Sequence, residues 1–211
     1  MAAKTLYLVR HGETPWNRDR IFRGREDIEL SETGLLQACR VGTALAHRKV
    51  DQLYTSPLRR CQQTTLAIRS ACNAPIRALA GLTDVDYGQW AGKRDQDVAA
   101  AWADLHARYQ RAPQDVTFPG GESLAAVQKR AVGAIDEALA EPWSTAVVVT
   151  HRVVLKLILL ACLGAPIDRF WSIRVDPCSL SAITVEGERR VVCLANDIGH
   201  LRGIEGSAAD F

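Results

Sequence analysis

Long apolar runs are scarce in this sequence. None approaches the ~20 consecutive apolar residues that a membrane-spanning helix needs, so no membrane association is expected. An excess of one charge is missing too. The 26 Lys and Arg are matched by 24 Asp and Glu, a net charge of +2, which supplies no basic field for nucleic acid. No two cysteines stand as Cys-x-x-Cys. Cys39, Cys61, Cys72, Cys162, Cys178 and Cys193 therefore read as free buried thiols, and no metal site is expected. A glycine-rich phosphate loop of the G-x-x-x-x-G-K kind is absent, which argues against nucleotide-driven transfer. No charged lead, apolar segment and cleavage site precede the first strand, so a cytoplasmic location is expected.

What is present is the composition of a folded protein. Hydrophobic residues make up 47% and charged residues 24% of 211 positions, enough for one domain over residues 1–211 with a large core. The stretch Leu6-Tyr7-Leu8-Val9-Arg10-His11-Gly12-Glu13-Thr14 reads as a buried strand that stops at a chemically rich turn. A polar loop holding Arg18, Arg20, Arg23 and Arg25 follows. Ser31 suits an N-cap for a helix to about Ala46. Residues 50–54 read as a second strand. Ser56-Pro57 reads as the N-cap and first residue of a helix to about Ala71. Residues 75–79 suggest a third strand, 82–92 a loop and 96–110 one helix. From Glu122 a helix carries Leu124, Val127, Ala131, Ile135 and Ala138 on its apolar side. Residues 145–149 form an unbroken apolar run, as in a central parallel strand, and an apolar helix spans 153–163. Segments 181–185 and 190–195 read as a hairpin. The tail from Gly203 is small and polar and is expected to fray.

Strands alternating with helices predict an α/β fold. The expected form is a three-layer sandwich: a mostly parallel sheet with one antiparallel edge strand and helices on both faces. In such sheets ligands bind beyond the carboxyl ends of the strands. There this chain offers Arg10 and His11, then Arg59 and Arg60, then His151. If those strands are neighbours, two histidines and two or three arginines converge. Guanidinium forks match phosphate oxygens. A neutral imidazole is a competent phosphoryl acceptor, and a second, protonated one would steady the transition-state oxygens.

At these residues the chain resembles the histidine phosphatase superfamily, the group that contains the phosphoglycerate mutases, over nearly its whole length. Arg10-His11-Gly12-Glu13-Thr14 with Trp16-Asn17 matches the signature of that family. Ser56-Pro57-Leu58-Arg59-Arg60 is similar to its second-arginine motif, with Arg59 at a variable position. Pro119-Gly120-Gly121-Glu122-Ser123 matches a usual helix start, and Val147-Val148-Val149-Thr150-His151 carries the second histidine.

The resemblance implies hydrolysis of a small phosphorylated metabolite by way of a phosphohistidine on His11, without metal or cofactor. Arg10, Arg60 and His151 would hold the phosphoryl oxygens, and Asn17 would add a hydrogen bond. The family commonly places a Glu as acid where this chain has Asp84. The shorter arm leaves two candidates, Asp84 ahead of Asp86. Arg23 and Gly24 could border the substrate. Arg152 replaces a frequent Gly, and either contacts an anion or turns to a surface salt bridge. His47, His106 and His200 read as packing or surface residues. A phosphoglycerate mutase is the runner-up, disfavoured by the short insert over residues 93–119. A binding or scaffold protein on the same fold is a third reading, disfavoured because Arg10, His11, Arg60 and His151 are all retained. Phosphoserine, α-ribazole phosphate, sugar phosphates and phosphoglycerates all stay open as substrates, and a homodimer is possible.

Overall fold

Strand β4 (Thr145–Thr150) is the spine of the molecule. Its three valines are buried on both faces of a sheet, which suits β-branched residues in a parallel strand. It lies between β1 (Lys4–Arg10) and β2 (Gln52–Thr55) and runs parallel to both. β3 (Ile76–Ala78) continues the parallel set beyond β2. On the other side β5 (Leu180–Glu186) runs antiparallel to β1, and β6 (Arg189–Asp197) runs antiparallel to β5. The order is β3-β2-β4-β1-β5-β6. One strand, β5, thus opposes the rest, one place in from the edge. This computed structural model describes residues 3–204, so the tail expected to fray lies, beyond Ile204, outside the described residues.

Successive strand residues face opposite sides, and helices cover both. On one side α2 (Glu32–Leu45) and α3 (Arg59–Cys72) bring Val41, Leu45 and Ile68 onto Val9, Leu53, Val147 and Val149. On the other, α6 (Leu124–Leu139) and α7 (Arg152–Cys162) bring Val127, Ile135, Val154 and Ile158 onto Leu6, Leu8, Tyr54 and Val148. This is the expected three-layer α/β arrangement. Ser31 caps α2 as read, accepting from the Gly34 N–H at 3.0 Å. Among the described residues, no helix is long and apolar enough to cross a membrane.

Three readings need correction. Residues 96–110 are two helices, α4 (Asp95–Ala101) and α5 (Ala103–Arg111), separated at Trp102, whose ψ of 49° leaves the helical region while its ring packs on the core. Ser56 does not cap α3. Leu58 occupies that position in an extended conformation, and the helix begins at Arg59. The cysteines are all free, but not all buried: Cys39 faces solvent on α2, and Cys193 is exposed on the edge strand β6.

Candidate active site

The sheet register assembles the site. Arg10 is opposite Thr150, and Thr55 is opposite Val149. One step further, the His11 N–H donates to the Thr150 carbonyl at 2.9 Å and the Ser56 N–H donates to the Val149 carbonyl at 3.0 Å. Three adjacent parallel strands therefore end together, and the residues just past them, His11, His151 and Ser56, stand side by side. The two imidazoles lie 5.3 Å apart between centroids, at 60°.

The turn after β1 fixes His11. A Cβ on Gly12 would sit 2.5 Å from the Gly34 carbonyl oxygen, and one on Gly34 would sit 2.0 Å from that of Glu13. Only glycine at both places lets the loop rest on the first turn of α2. The Gly12 N–H donates to Thr64 Oγ1 on α3 at 3.1 Å. Buried Glu13 accepts from Ser31 Oγ at 2.8 Å and from Arg18 at 2.9 Å. His11 Nδ1 is 2.7 Å from the Gly12 carbonyl oxygen. A carbonyl can only accept, so Nδ1 carries the proton and Nε2 keeps its lone pair. Burial first, then the charges of Arg60, Arg10 and Arg23, hold the imidazole pKa well below its ordinary value. His11 is neutral at pH 7.

Arg60 is wholly buried at the start of α3, and every face of its guanidinium is engaged. Nη1 donates to the Glu26 carbonyl at 2.7 Å; Nη2 donates to the Gly24 carbonyl at 2.7 Å and to Asp84 Oδ2 at 3.1 Å. Nε donates to His151 Nδ1 at 3.2 Å. An N–H pointed at Nδ1 makes that nitrogen an acceptor, so the His151 proton sits on Nε2 and donates to Ser56 Oγ at 2.8 Å. Burial, then Arg60 and His11, lower the His151 pKa well below the usual range. The expected protonated imidazole is thus replaced by a neutral one. Enclosure among arginines leaves no room for a further positive charge.

Asp84 comes from the loop after β3. Oδ1 accepts from the Val85 N–H at 2.9 Å, Oδ2 takes Arg60, and His151 Nδ1 lies 3.5 Å away. Arg130, on α6, clamps this loop. It donates through Nη1 to the Gly81 and Thr83 carbonyls at 2.9 and 2.6 Å, and through Nη2 to the Asp84 carbonyl at 2.9 Å. Its remaining face meets Glu122. Asp86 points elsewhere, capping the Gly88 N–H at 2.9 Å and lying 3.7 Å from Arg25.

His11, Phe22, Arg23, Asp84, Tyr87 and Arg152 line a narrow cleft. Arg152 is 7% exposed within this lining. Arg10 donates through Nη1 to the Val175 carbonyl at 2.8 Å, on the loop before β5. Gly24 holds φ +51° with its carbonyl on Arg60, serving that arginine and not the cleft wall. Asn17 spends its amide oxygen on the Thr14 N–H at 2.7 Å and so stiffens the loop beside the signature. His200 is 3.0 Å from the Cys178 carbonyl and His106 pairs with Asp95, both outside the cleft. A roomier open groove near Lys4, Cys162 and Arg190 lies at the opposite ends of the strands and holds none of these groups. Ser56 and Arg130 were not foreseen. Ser56 had a signal, its place at the end of a strand neighbouring the histidine strand; Arg130 had none.

The family model of the histidine phosphatase superfamily (branch 1) matches residues 6–198. Phosphoserine phosphatase 1 of Hydrogenobacter thermophilus is 36% identical over 197 residues, 93% of each chain. The "Probable phosphoglycerate mutase GpmB" of Salmonella choleraesuis is 29% identical over 93% of this chain and 94% of its own. Among solved structures, Bacillus stearothermophilus YhfR superposes with a TM-score of 0.90 at 31% identity, covering 94% of this chain and 99% of that one.

Proposed function

The chain belongs to the histidine phosphatase superfamily, and from that premise we propose that it hydrolyses a small phosphomonoester through a phosphohistidine on His11. The carrying observation is the state of His11: neutral, with Nδ1–H held by the Gly12 carbonyl and the Nε2 lone pair left for phosphorus. In the first step Nε2 forms a bond to phosphorus while the bond to the ester oxygen breaks. Arg10 and Arg60 hold the non-bridging oxygens and match the developing charge. A phosphoryl oxygen takes the place of Asp84 on Arg60 Nη2; the freed carboxylate takes a proton from the monoanionic ester and passes it to the leaving oxygen. In the second step Asp84 removes a proton from water, the water oxygen attacks phosphorus, and the N–P bond breaks. Inorganic phosphate leaves and His11 is restored. His151 acts by fixing the Arg60 fork, and Asn17 supports the loop.

Nothing in these steps calls for a metal ion or an organic cofactor, and activity is expected to withstand a chelator. The mutase reading differs only in the acceptor of the second step, a hydroxyl in place of water, and a mutase-named relative of comparable length keeps it in view. One experiment addresses both. Brief mixing with a phosphate-labelled ester should leave acid-labile label on the wild-type chain and none on His11→Ala. Turnover with no labelled chain, or label that survives in His11→Ala, would overturn the reading. Label passing to a second hydroxyl of the product, without inorganic phosphate, would establish the mutase.

A further inference from the structure

Glu122 does not line the cleft, yet its carboxylate is the meeting point of two loops that do. It stands two residues before α6, and both of its oxygens are fully used. Oε1 accepts from Arg130 Nε at 2.8 Å and lies 3.2 Å from Arg25 Nη2. Oε2 accepts from Arg130 Nη2 at 2.9 Å and from the Asp86 N–H at 3.0 Å. A carboxylate has about four lone-pair sites, and donors occupy all of them here. Burial would raise the Glu122 pKa, but Arg130, the Asp86 N–H and Arg25 together draw it below its ordinary value, so the group is charged at pH 7. On one side lies the acid loop. The paired bonds to Glu122 aim the Arg130 guanidinium at the Gly81, Thr83 and Asp84 carbonyls. The Glu122 N–H also donates to the Asp86 carbonyl at 2.9 Å. On the other side lies the turn over residues 23–26, closed by the Glu26 N–H on the Arg23 carbonyl at 3.0 Å. The Gly24 and Glu26 carbonyls of that turn carry the Arg60 fork, and Arg25 stands between them.

We infer that Glu122 is a positioning residue that couples the two sides of the cleft: through Arg130 it sets the reach of Asp84, and through Arg25 it sets the turn that aims Arg60 at the phosphoryl oxygens. This rests on the phosphatase reading for what Asp84 and Arg60 do. Neither loop belongs to the sheet, so the ladder that places His11 and His151 does not place them. The two loops are closely fitted. A Cβ on Gly24, at φ +51°, would sit 2.9 Å from the Val85 carbonyl oxygen, and one on Gly121 would sit 2.2 Å from that of Asp86. A carboxylate shared between them ties the position of one to that of the other. The Arg25 arm is 48% exposed and is the weaker of the two. The Arg130 arm is bidentate and only 21% exposed. Loss of Glu122 is therefore expected to cost the acid side more than the phosphate side.

Two readouts test the coupling. Calorimetric titration with inorganic phosphate reads the Arg60 side without turnover. The ratio of kcat/KM for an alkyl phosphate to that for p-nitrophenyl phosphate reads the acid side. Glu122→Gln is expected to weaken phosphate binding about threefold and to lower the ratio about tenfold. The sign of the first change is the discriminating one. Removing a negative charge near an anion site would, through the field alone, tighten phosphate, whereas loss of position loosens it. Glu122→Asp keeps the charge and shortens the arm, so it should move both readouts in the same direction; it also serves should the Gln variant fail to fold. Arg130→Ala leaves Glu122 on Arg25 and should lower the ratio alone. Phosphate affinity unchanged or tighter in the Glu122 variants, a ratio unchanged in them, or an equal loss of phosphate affinity in Arg130→Ala would overturn the coupling. The wild type separates this from the phosphatase reading. Phosphate binding without hydrolysis of either ester would sink the phosphatase, and the coupling would then be decided by phosphate affinity; hydrolysis with phosphate affinity unmoved would sink the coupling alone.

Discussion

The two walls of the cleft are held by different means. The phosphate wall, with Arg10, His11, Ser56 and His151, stands on the ends of three parallel strands. Its geometry is inherited from the ladder that continues one bond past each strand, to Thr150 and to Val149. The acid wall around Asp84 stands on a loop outside the sheet. There one guanidinium, Arg130, gathers three consecutive-region carbonyls, and Thr150 Oγ1 adds a bond to the Leu82 carbonyl at 2.6 Å. A backbone ladder places a residue whatever its side chain. A side-chain clamp places it only while one distant residue is kept. The phosphate wall should therefore fail by chemistry, and the acid wall by loss of position.

The largest effect is expected at Arg60, which α3 adds to the phosphate wall from outside the strand ends. Arg60→Ala removes the buried fork and should lower kcat/KM about a thousandfold, as for loss of a strong transition-state donor. The loss should be alike for alkyl and aryl phosphates, because both develop the same charge on phosphorus. Steady-state kinetics on both ester types checks this, and a loss below tenfold would remove Arg60 from the cradle. Asp84→Asn comes next. Its cost should be about a hundredfold on an alkyl ester, within the range for general acid catalysis, and only a few-fold on p-nitrophenyl phosphate, whose leaving group needs no proton. Equal losses on the two would exclude Asp84 as the acid.

Arg130→Ala probes the clamp itself. Three carbonyls lose their charged donor, and the acid loop is expected to drift while the phosphate wall stays. The outcome should copy Asp84→Asn in pattern but not in size: about tenfold on the alkyl ester, little on the aryl one, in keeping with general acid work that depends on reach. Arg130→Lys, which keeps the charge without the fork, should recover part of the loss. A merely structural role for Arg130 would reduce both esters equally.

The same contrast explains what could be read from the sequence. Residues placed by strand ends were legible, because an apolar run that stops at Arg10-His11 or at His151 announces both the strand and what lies past it. Parallel pairing then needed only the rule that ligands sit at carboxyl ends. Ser56 was misread because Ser-Pro looks like a helix start, and local chemistry could not reveal that His151 would compete for its hydroxyl. The charge state of His151 was missed for a related reason: it depends on an Arg60 N–H arriving from another element. Arg130 was invisible. It sits on α6 among ordinary polar positions, and only the folded loop supplies the carbonyls that give it meaning. The break at Trp102 escaped because alanine-rich sequence favours helix on both sides of it.

The smallest expected effect separates activity from stability along the pH axis. Protonation of Nε2 would destroy the nucleophile, but burial and three arginines hold the His11 pKa well below 6.5. The neutral form therefore persists as pH falls, and kcat/KM, corrected for ionisation of the substrate, should stay level from pH 7.5 to 5.5. Stability behaves otherwise. Below pH ~6.5 the unfolded chain takes up protons on its histidines that the folded chain refuses at His11 and His151, and so the folded state loses ground. Above that pH both states hold neutral imidazoles and the effect vanishes. Each such histidine contributes a slope of up to about 1.4 kcal/mol per pH unit. Tm should thus decline below pH ~6.5 while kcat/KM stays flat, and His11→Asn should lessen the decline. A descending limb in kcat/KM near pH 6.5 would show that His11 titrates as a solvent-exposed imidazole does, and that the phosphate wall is looser than its strand ends require.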